Sequence, residues 1–252
     1  MIPVIMIDNG RAVITRQFRK PVYVGDPINA IKIFNDKEVD ELVILDITSK
    51  KSKAKPDFKL IEKMASESFM PLAYGGHVTK IEEAETLINC GIEKISFNSA
   101  LFAHSKVVQE LSYRNGKQSV IASLDIKKNW LGKYVVKTNC GRRAVGKDLK
   151  TVIKDVLALG VGEILLNSID KDGSLSGYDE ILIKQVVKQI NVPLIACGGA
   201  SSVKDFSSVI KNAGASAVAA GALFFLKGGF NAVLVNYPDQ QTLKAELYTQ
   251  VE

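Results

Sequence analysis

The chain has 252 residues, 46% of them apolar, and a formal net charge of +6, enough to bury a large core as one α/β barrel or as two small domains. Its three cysteines, Cys90, Cys140 and Cys197, are odd in number and lack any CxxC spacing, which argues against a disulfide framework and structural zinc; no metal or other cofactor is expected. The positive charge lies in short groups such as "KKSKAK" at 50–55 with no interleaved aromatics to stack on bases, so nucleic acid is not an expected partner, although the excess favours a phosphorylated or nucleotide-linked small molecule by long-range steering.

Taken in chain order, "MIPVIMIDNGRAV" opens with a near-continuous apolar run from Met1 to Ile7 that reads as a buried parallel strand, turned away by Asp8-Asn9-Gly10. No basic segment leads into a signal core. If this is the first strand of an enzyme barrel, its last residues should carry chemistry to the active-site mouth, yet Ile5-Met6-Ile7 offers none. Next come "ELVILDI" and the Pro-led "PLAYGG". A helical pattern follows in "TKIEEAETLINCG", with Thr79 as cap candidate, apolar residues at Ile81, Ala84, Leu87 and Ile88, and Gly91 as the stop. "KISFNS", "SVIASLDI", "GEILLNSID", "PLIACGG" and "AVAAGALFF" continue the β-like runs, each flanked by amphipathic stretches. Such alternation means βαβ units and a parallel sheet. The longest apolar stretch, Ala217 to Leu226, is far too short to span a bilayer. A soluble cytoplasmic protein without a membrane partner is expected.

The first half of the chain recurs in the second when Glu163 is set on Glu41. "VDELVILDIT" then matches "VGEILLNSID", and "PLAYGG" with "CGIEKISFNSALF" matches "PLIACGG" with "AGASAVAAGALFF". Four strands per half make eight. The predicted fold is a single (β/α)8 TIM barrel over residues 1–252, built from two similar half-barrels, with a doubly wound open sheet as the alternative.

Catalytic groups in such barrels sit at the C-terminal ends of strands. Asp46 and Asp125 end strands, and Asp170 and Asp172 follow one. Asp125 is the least easily explained as a helix cap, because Ile-Lys-Lys and an apparent hairpin come next. The pairs Gly75-Gly76 and Gly198-Gly199 let backbone N–H groups approach an anion closely, beside small residues at Asn98-Ser99 and Gly221-Ala222. Two such cradles across one mouth suit a long substrate with phosphates at both ends. His77 and His104, without metal-ligand spacing, read as surface loop residues. At the opposite face, Glu41, Lys94 and Glu163 open otherwise apolar strands, where charge is costly unless paired. They read either as exposed strand ends or as a charged ring around an axial opening.

Through "DELVILDIT", "GGHVTKIEEAETLINCGIEKISFNSA", "GEILLNSIDKDGSLSGYD" and "IACGGASSVKDF", the chain resembles, end to end, the cyclase (HisF) subunit family of imidazole glycerol phosphate synthase. The resemblance implies a barrel that receives ammonia from a glutaminase (HisH-like) subunit on its N-terminal face, passes it along the axis through an ion-paired gate, and delivers it to an acceptor at the mouth. By position, Glu41, Lys94 and Glu163 match the gate. Gly76, Asn98, Ser99, Asp172, Gly173, Gly199, Gly221 and Ala222 match the phosphate sites. Asp125 matches one of two catalytic aspartates and Met6 falls on the other. A thioether can neither donate nor accept the proton that cyclisation needs. The gate arginine would precede Met1, the phosphate lysine falls on Ile14, with Arg11 or Arg16 as candidate substitutes, and the third glycine of the first phosphate loop has become His77. "YVGDPINAIKIFNDKEVDELVILDI" and "AVLVNYP" further resemble the glycosyl amidation-associated (WbuZ/AglZ-like) paralogues. That likeness implies a glutamine amidotransferase complex, with a separate amidotransferase as a further partner, acting on a nucleotide-linked sugar in O-antigen or other surface polysaccharide synthesis. A histidine-pathway cyclase (a lyase) and a non-catalytic scaffold that activates the glutaminase are the alternatives.

Overall fold

The computed structural model describes residues 1–49, 55–227, 232–233 and 235–251, so the "KKSKAK" group lies outside them except for Lys55. Eight strands form the wall: β1 Ile2–Asp8, β2 Leu42–Asp46, β3 Leu72–Gly75, β4 Lys94–Phe97, β5 Val120–Lys128, β6 Glu163–Ser168, β7 Leu194–Cys197 and β8 Ala217–Ala220. Each pairs in parallel with the next, and β8 pairs in parallel with β1, so the ring closes. The fold is the (β/α)8 TIM barrel that the alternation of elements predicts. An open sheet is excluded by the β8–β1 register, Ile2 against Ala219 and Pro3 against Ala220.

Strand pleating divides every strand between two environments. One parity of side chain, Ile2, Val4, Val43, Ala73, Ile121, Leu165, Ile195, Cys197 and Ala219, packs inside the ring, with Met6 and Leu45 against it. The other parity, including Ile5, Ile7, Leu42, Ile44, Tyr74, Ile95, Ile164 and Leu194, packs outward under the helices. Strands buried on both faces read as unbroken apolar runs, which is why the sequence shows no alternation along them.

The covering helices are α1 Pro27–Asp36, α2 Phe58–Glu67, α3 Ile81–Asn89, the short α4 Ala100–Ala103, α5 Ser105–Asn115, α6 Leu149–Leu157, α7 Glu180–Val187, α8 Val203–Ala213 and the short α9 Ala222–Phe225. Asp26, Asp57, Asp148 and Asp179 cap α1, α2, α6 and α7 by accepting the N–H three residues on. The expected cap at Thr79 is displaced by one residue. Lys80 holds the N-cap position of α3, and Glu83 reaches back to accept from the N–H groups of Thr79 and Lys80 and from the Thr79 hydroxyl. The carboxylate of the first turn thus does the work assigned to the hydroxyl. Gly91, with φ +99°, follows the helix as expected.

Two strands continue into hairpins over the C-terminal end. After β1, Arg11–Arg16 pairs antiparallel with β1 and with Arg19–Gly25. After β5, Tyr134–Thr138 pairs antiparallel with Asp125 to Lys128, and Arg143–Ala144 pairs with it in turn. Elsewhere, Phe34 of α1 is fully buried and meets Phe224, Phe225 and Tyr237 edge-on, with ring centroids 6.1 to 6.3 Å apart. This aromatic cluster fastens the first helix to the segment after β8 and so to the seam where the ring closes. Phe34→Ala should cost about 3–5 kcal/mol, read as a fall in the urea midpoint; a change under about 1 kcal/mol would remove the cluster's role at the seam.

Candidate active site at the barrel mouth

A cavity of about 1080 Å³ opens at the C-terminal end of the barrel. Its floor comes from inward-facing strand residues: Met6 on β1, Leu45 on β2, Gly75 on β3, Ser96 on β4, Ser123 and Asp125 on β5, and Asn167 on β6. β1 and β5 lie four strands apart either way round the ring, so Met6 and Asp125 occupy opposite walls. Asn98 donates from Nδ2 to Asp125 Oδ2 at 3.1 Å and to the Ser123 carbonyl at 2.9 Å, which fixes the carboxyl across the β4–β5 gap. Burial, together with the charge of Asp172, pushes the Asp125 carboxyl up to about 8, so it carries its proton at neutral pH.

Asp172 is also buried, and its carboxyl is raised by burial despite hydrogen bonds that favour the anion. Its Oδ2 accepts from the Thr15 hydroxyl at 2.6 Å and from the Phe18 N–H at 3.1 Å. The Gln17 N–H donates to its carbonyl at 3.0 Å. These bonds fold the first hairpin over the mouth and bring Thr15 to within 3.9 Å of the Met6 sulfur. The second hairpin is pinned from the other side, where the Asn139 N–H donates to Ser99 Oγ at 3.0 Å.

Three of the glycines expected to cradle anions stand where the backbone itself leaves no room; Gly221, with φ −106° and a Cβ that would lie 3.3 Å from the Val4 carbonyl, does not. A Cβ on Gly76 would lie 2.7 Å from Asp46, one on Gly173 2.0 Å from the Thr15 carbonyl, and one on Gly199 2.2 Å from the Gly177 carbonyl, all at positive φ. Gly177 N–H donates to the Gly199 carbonyl at 2.8 Å, tying the loop after β6 to the one after β7. Gly76, Asn98 and Ser99 line the cavity, whereas Asp172, Gly173, Gly199, Gly221 and Ala222 are not among its lining residues. The two predicted cradles therefore differ: residues of the first line the cavity, and those of the second do not.

Both histidines line this cavity; the expectation of surface residues fails only for the His77 side chain. His104 is exposed, at the α4–α5 junction, but the His77 side chain is only 5% exposed and its Nε2 lies 3.8 Å from Asp46 Oδ1. Arg11 and Arg16 are exposed and are not lining residues; among the described residues, the lysines and arginines that do line it are Arg19, Lys20, Lys127 and Arg142. The hairpin carries its charge at the turn, beyond the position the lysine alignment indicated. Thr15, Phe18, Asn139 and Asn167 were missed by sequence reasoning. For Asn167 a signal existed, since counting by twos from Glu163 places it on the inward face; the other three depend on how the hairpins fold over.

At the N-terminal end the charged ring exists and is paired. Lys94 Nζ donates to Glu163 Oε1 at 2.8 Å and to Glu41 Oε2 at 3.0 Å, with all three side chains less than 20% exposed. Burial raises the Glu41 carboxyl, against the pull of Lys94. Burial lowers the Lys94 ammonium, but hydrogen bonds to Glu163 and Glu41 outweigh it, for a net rise. The remaining oxygens, Glu41 Oε1 and Glu163 Oε2, are buried without a hydrogen-bond partner, so removing the lysine would strand two carboxylates.

A histidine biosynthesis protein family model matches residues 1–229. A Pseudomonas aeruginosa protein provisionally named imidazole glycerol phosphate synthase subunit hisF2 is 41% identical over 96% of this chain and 97% of its own length. A Leptospira interrogans protein, provisionally named as subunit HisF, is 40% identical over 98% of each chain. The chain belongs to the HisF family. The Helicobacter hepaticus imidazole glycerol phosphate synthase subunit HisF is 38% identical over 90% of each chain, so HisF membership extends to relatives named without that provision. Among the described residues, no helix is long and apolar enough to cross a membrane and no group of His, Cys, Asp or Glu could hold a metal ion.

The Asp125 carboxyl holds its proton more tightly folded than unfolded, where an aspartate titrates near ~3.9. Between that value and about 8 the native state binds more protons, so stability falls as pH rises through this window. Asp125→Asn abolishes that slope, and its urea midpoint relative to wild type should improve from pH 5 to pH 8.5. Parallel curves would mean that the carboxyl is not desolvated.

Proposed function

We propose that this chain is the ammonia-receiving barrel subunit of a glutamine-dependent amidotransferase. A HisH-like glutaminase docks on the N-terminal face, ammonia passes the Glu41–Lys94–Glu163 ring, and it reaches an acceptor at the mouth. The end use is amidination of a nucleotide-linked sugar for surface polysaccharide. The observation that carries the reading is the inequality of the two opposed walls: Asp125 is buried and protonated on β5, while β1 presents the Met6 thioether, which can serve as neither acid nor base. Cyclisation with positioned acid and base on these two strands is thereby lost, while the ring and mouth suited to delivering ammonia remain. The apolar layer between them, rich in Val, Ile and Ala, favours a small neutral molecule over an ion. Histidine-pathway cyclase activity is the second reading, favoured by the names of the relatives.

Complementation of a strain lacking the histidine cyclase separates the two. The wild-type chain should fail to restore growth without histidine, and growth would sink the amidination reading. Deletion of the gene in its own host should remove amidino groups from surface polysaccharide, read by mass spectrometry. In the reconstituted complex, Lys94→Ala should lower glutamine-dependent transfer at least about tenfold while transfer from added ammonium persists. An unchanged glutamine-dependent rate would instead favour a scaffold that only activates the glutaminase.

A further inference from the structure

We propose that His77, positioned by Asp46, is the second proton-transfer residue of the mouth and supplies from β3 what Met6 cannot supply from β1; this rests on the amidotransferase reading above. The first observation is conformational. His77 has φ +59°, a left-handed conformation that glycine adopts without strain and a histidine adopts at a cost. Eight other non-glycine residues among those described share a positive φ, so the conformation gains its meaning from what the imidazole meets. The second is burial. The imidazole is 95% enclosed at the edge of the cavity, with Nε2 3.8 Å from Asp46 Oδ1, so the ring lies against the carboxylate of β2.

The third observation is that Asp46 is itself held. Its Oδ1 accepts from the Thr48 N–H at 3.0 Å and its Oδ2 from the Tyr74 hydroxyl at 3.3 Å, and its side chain is 3% exposed. A buried carboxylate beside an imidazole both orients the ring and stabilises the imidazolium that forms when the ring takes a proton. At 3.8 Å the pair is in ion-pair contact, longer than a hydrogen bond, and the contact becomes that of a general base with its orienting partner when it tightens around a bound ligand. β3 lies midway between β1 and β5 round the ring, so a ligand spanning the mouth from Asp125 toward β1 passes the end of the strand whose following loop carries His77.

The division of labour follows from the environments of the two groups. As the lone pair of ammonia forms a bond to an electrophilic carbon bearing an oxygen leaving group, one N–H bond breaks and its proton passes to the His77 imidazole. The C–O bond breaks, its electron pair leaves with oxygen, and Asp125 gives that oxygen its proton. The imidazolium then returns a proton to the aspartate through solvent, so both groups are restored and no oxidant or reductant is needed. The other titratable groups at the cavity are Asp8 on β1, Lys127 on β5, His104 after α4, and Cys140 on the second hairpin. Arg19, Lys20 and Arg142 add fixed positive charge at the rim.

The test uses the purified full-length chain added to an extract of its own host from which the gene has been deleted, with amide-¹⁵N glutamine as probe. Label entering the saccharide fraction is followed from pH 5.5 to 8.5. The wild type should show a rate that falls toward the acid end of that range as the imidazole protonates. His77→Gln should lower transfer on the order of 100-fold and remove that acid limb, and Asp46→Asn should move the limb while leaving measurable turnover. His77→Gly relieves the backbone strain, so it should fold at least as well as wild type by urea titration and still lose transfer. Transfer by His77→Gly and His77→Gln within about twofold of wild type, with the acid limb intact, would overturn the assignment and leave the amidotransferase reading standing. A wild type that transfers no label would bring down both.

Discussion

Closure of the parallel ring is the constraint on which everything else depends. Once β8 pairs with β1, every strand has a fixed inward parity, and a residue's place in the sequence decides whether it meets the lumen or the helices. The same parity that buries Val43 and Leu165 inside the ring puts Glu41 and Glu163 two residues earlier, at one end of it, around Lys94. Followed in the other direction, it puts Met6, Asp125 and Asn167 at the opposite end. The two polar ends and the apolar layer between them are one pattern read along the strands.

The ring and the mouth treat charge in opposite ways. At the N-terminal end one ammonium is shared by two carboxylates, and both glutamates keep a buried oxygen without a hydrogen-bond partner. At the C-terminal end Asp125 sheds its charge by holding a proton. Burial raises the Asp172 carboxyl too, against hydrogen bonds from Thr15 and Phe18 that favour its anion. Burial is common to both ends; what differs is whether a cation sits within reach.

Much of this was legible in the sequence. The recurrence of the first half in the second and the Gly pairs after Pro-led strands gave eight strands, and the Asp at the end of "VIASLD" gave the floor of the mouth. The pairing of Glu41, Lys94 and Glu163 was open between exposed ends and a ring, because a sequence cannot say whether three strand starts converge. The misplaced features share another cause. Thr15, Phe18, Asn139 and the rim cations sit on hairpins whose paths over the mouth are set by bonds to Asp172 and Ser99, contacts between residues far apart in sequence. His77 was read as a surface residue because Asp46, which encloses its ring, lies at the end of a strand far away in sequence.

The roof over the mouth has a further property. A Cβ on Gly141 would stand 3.2 Å from the Phe18 ring and equally close to Ile169, so the tips of the two hairpins meet across a gap that only a hydrogen atom fits. Each tip is anchored to a different part of the wall, the first to the loop after β6 and the second to Ser99. The hairpins thus touch at their tips while each is held from a different side of the ring, so a change of length in either is felt by the other.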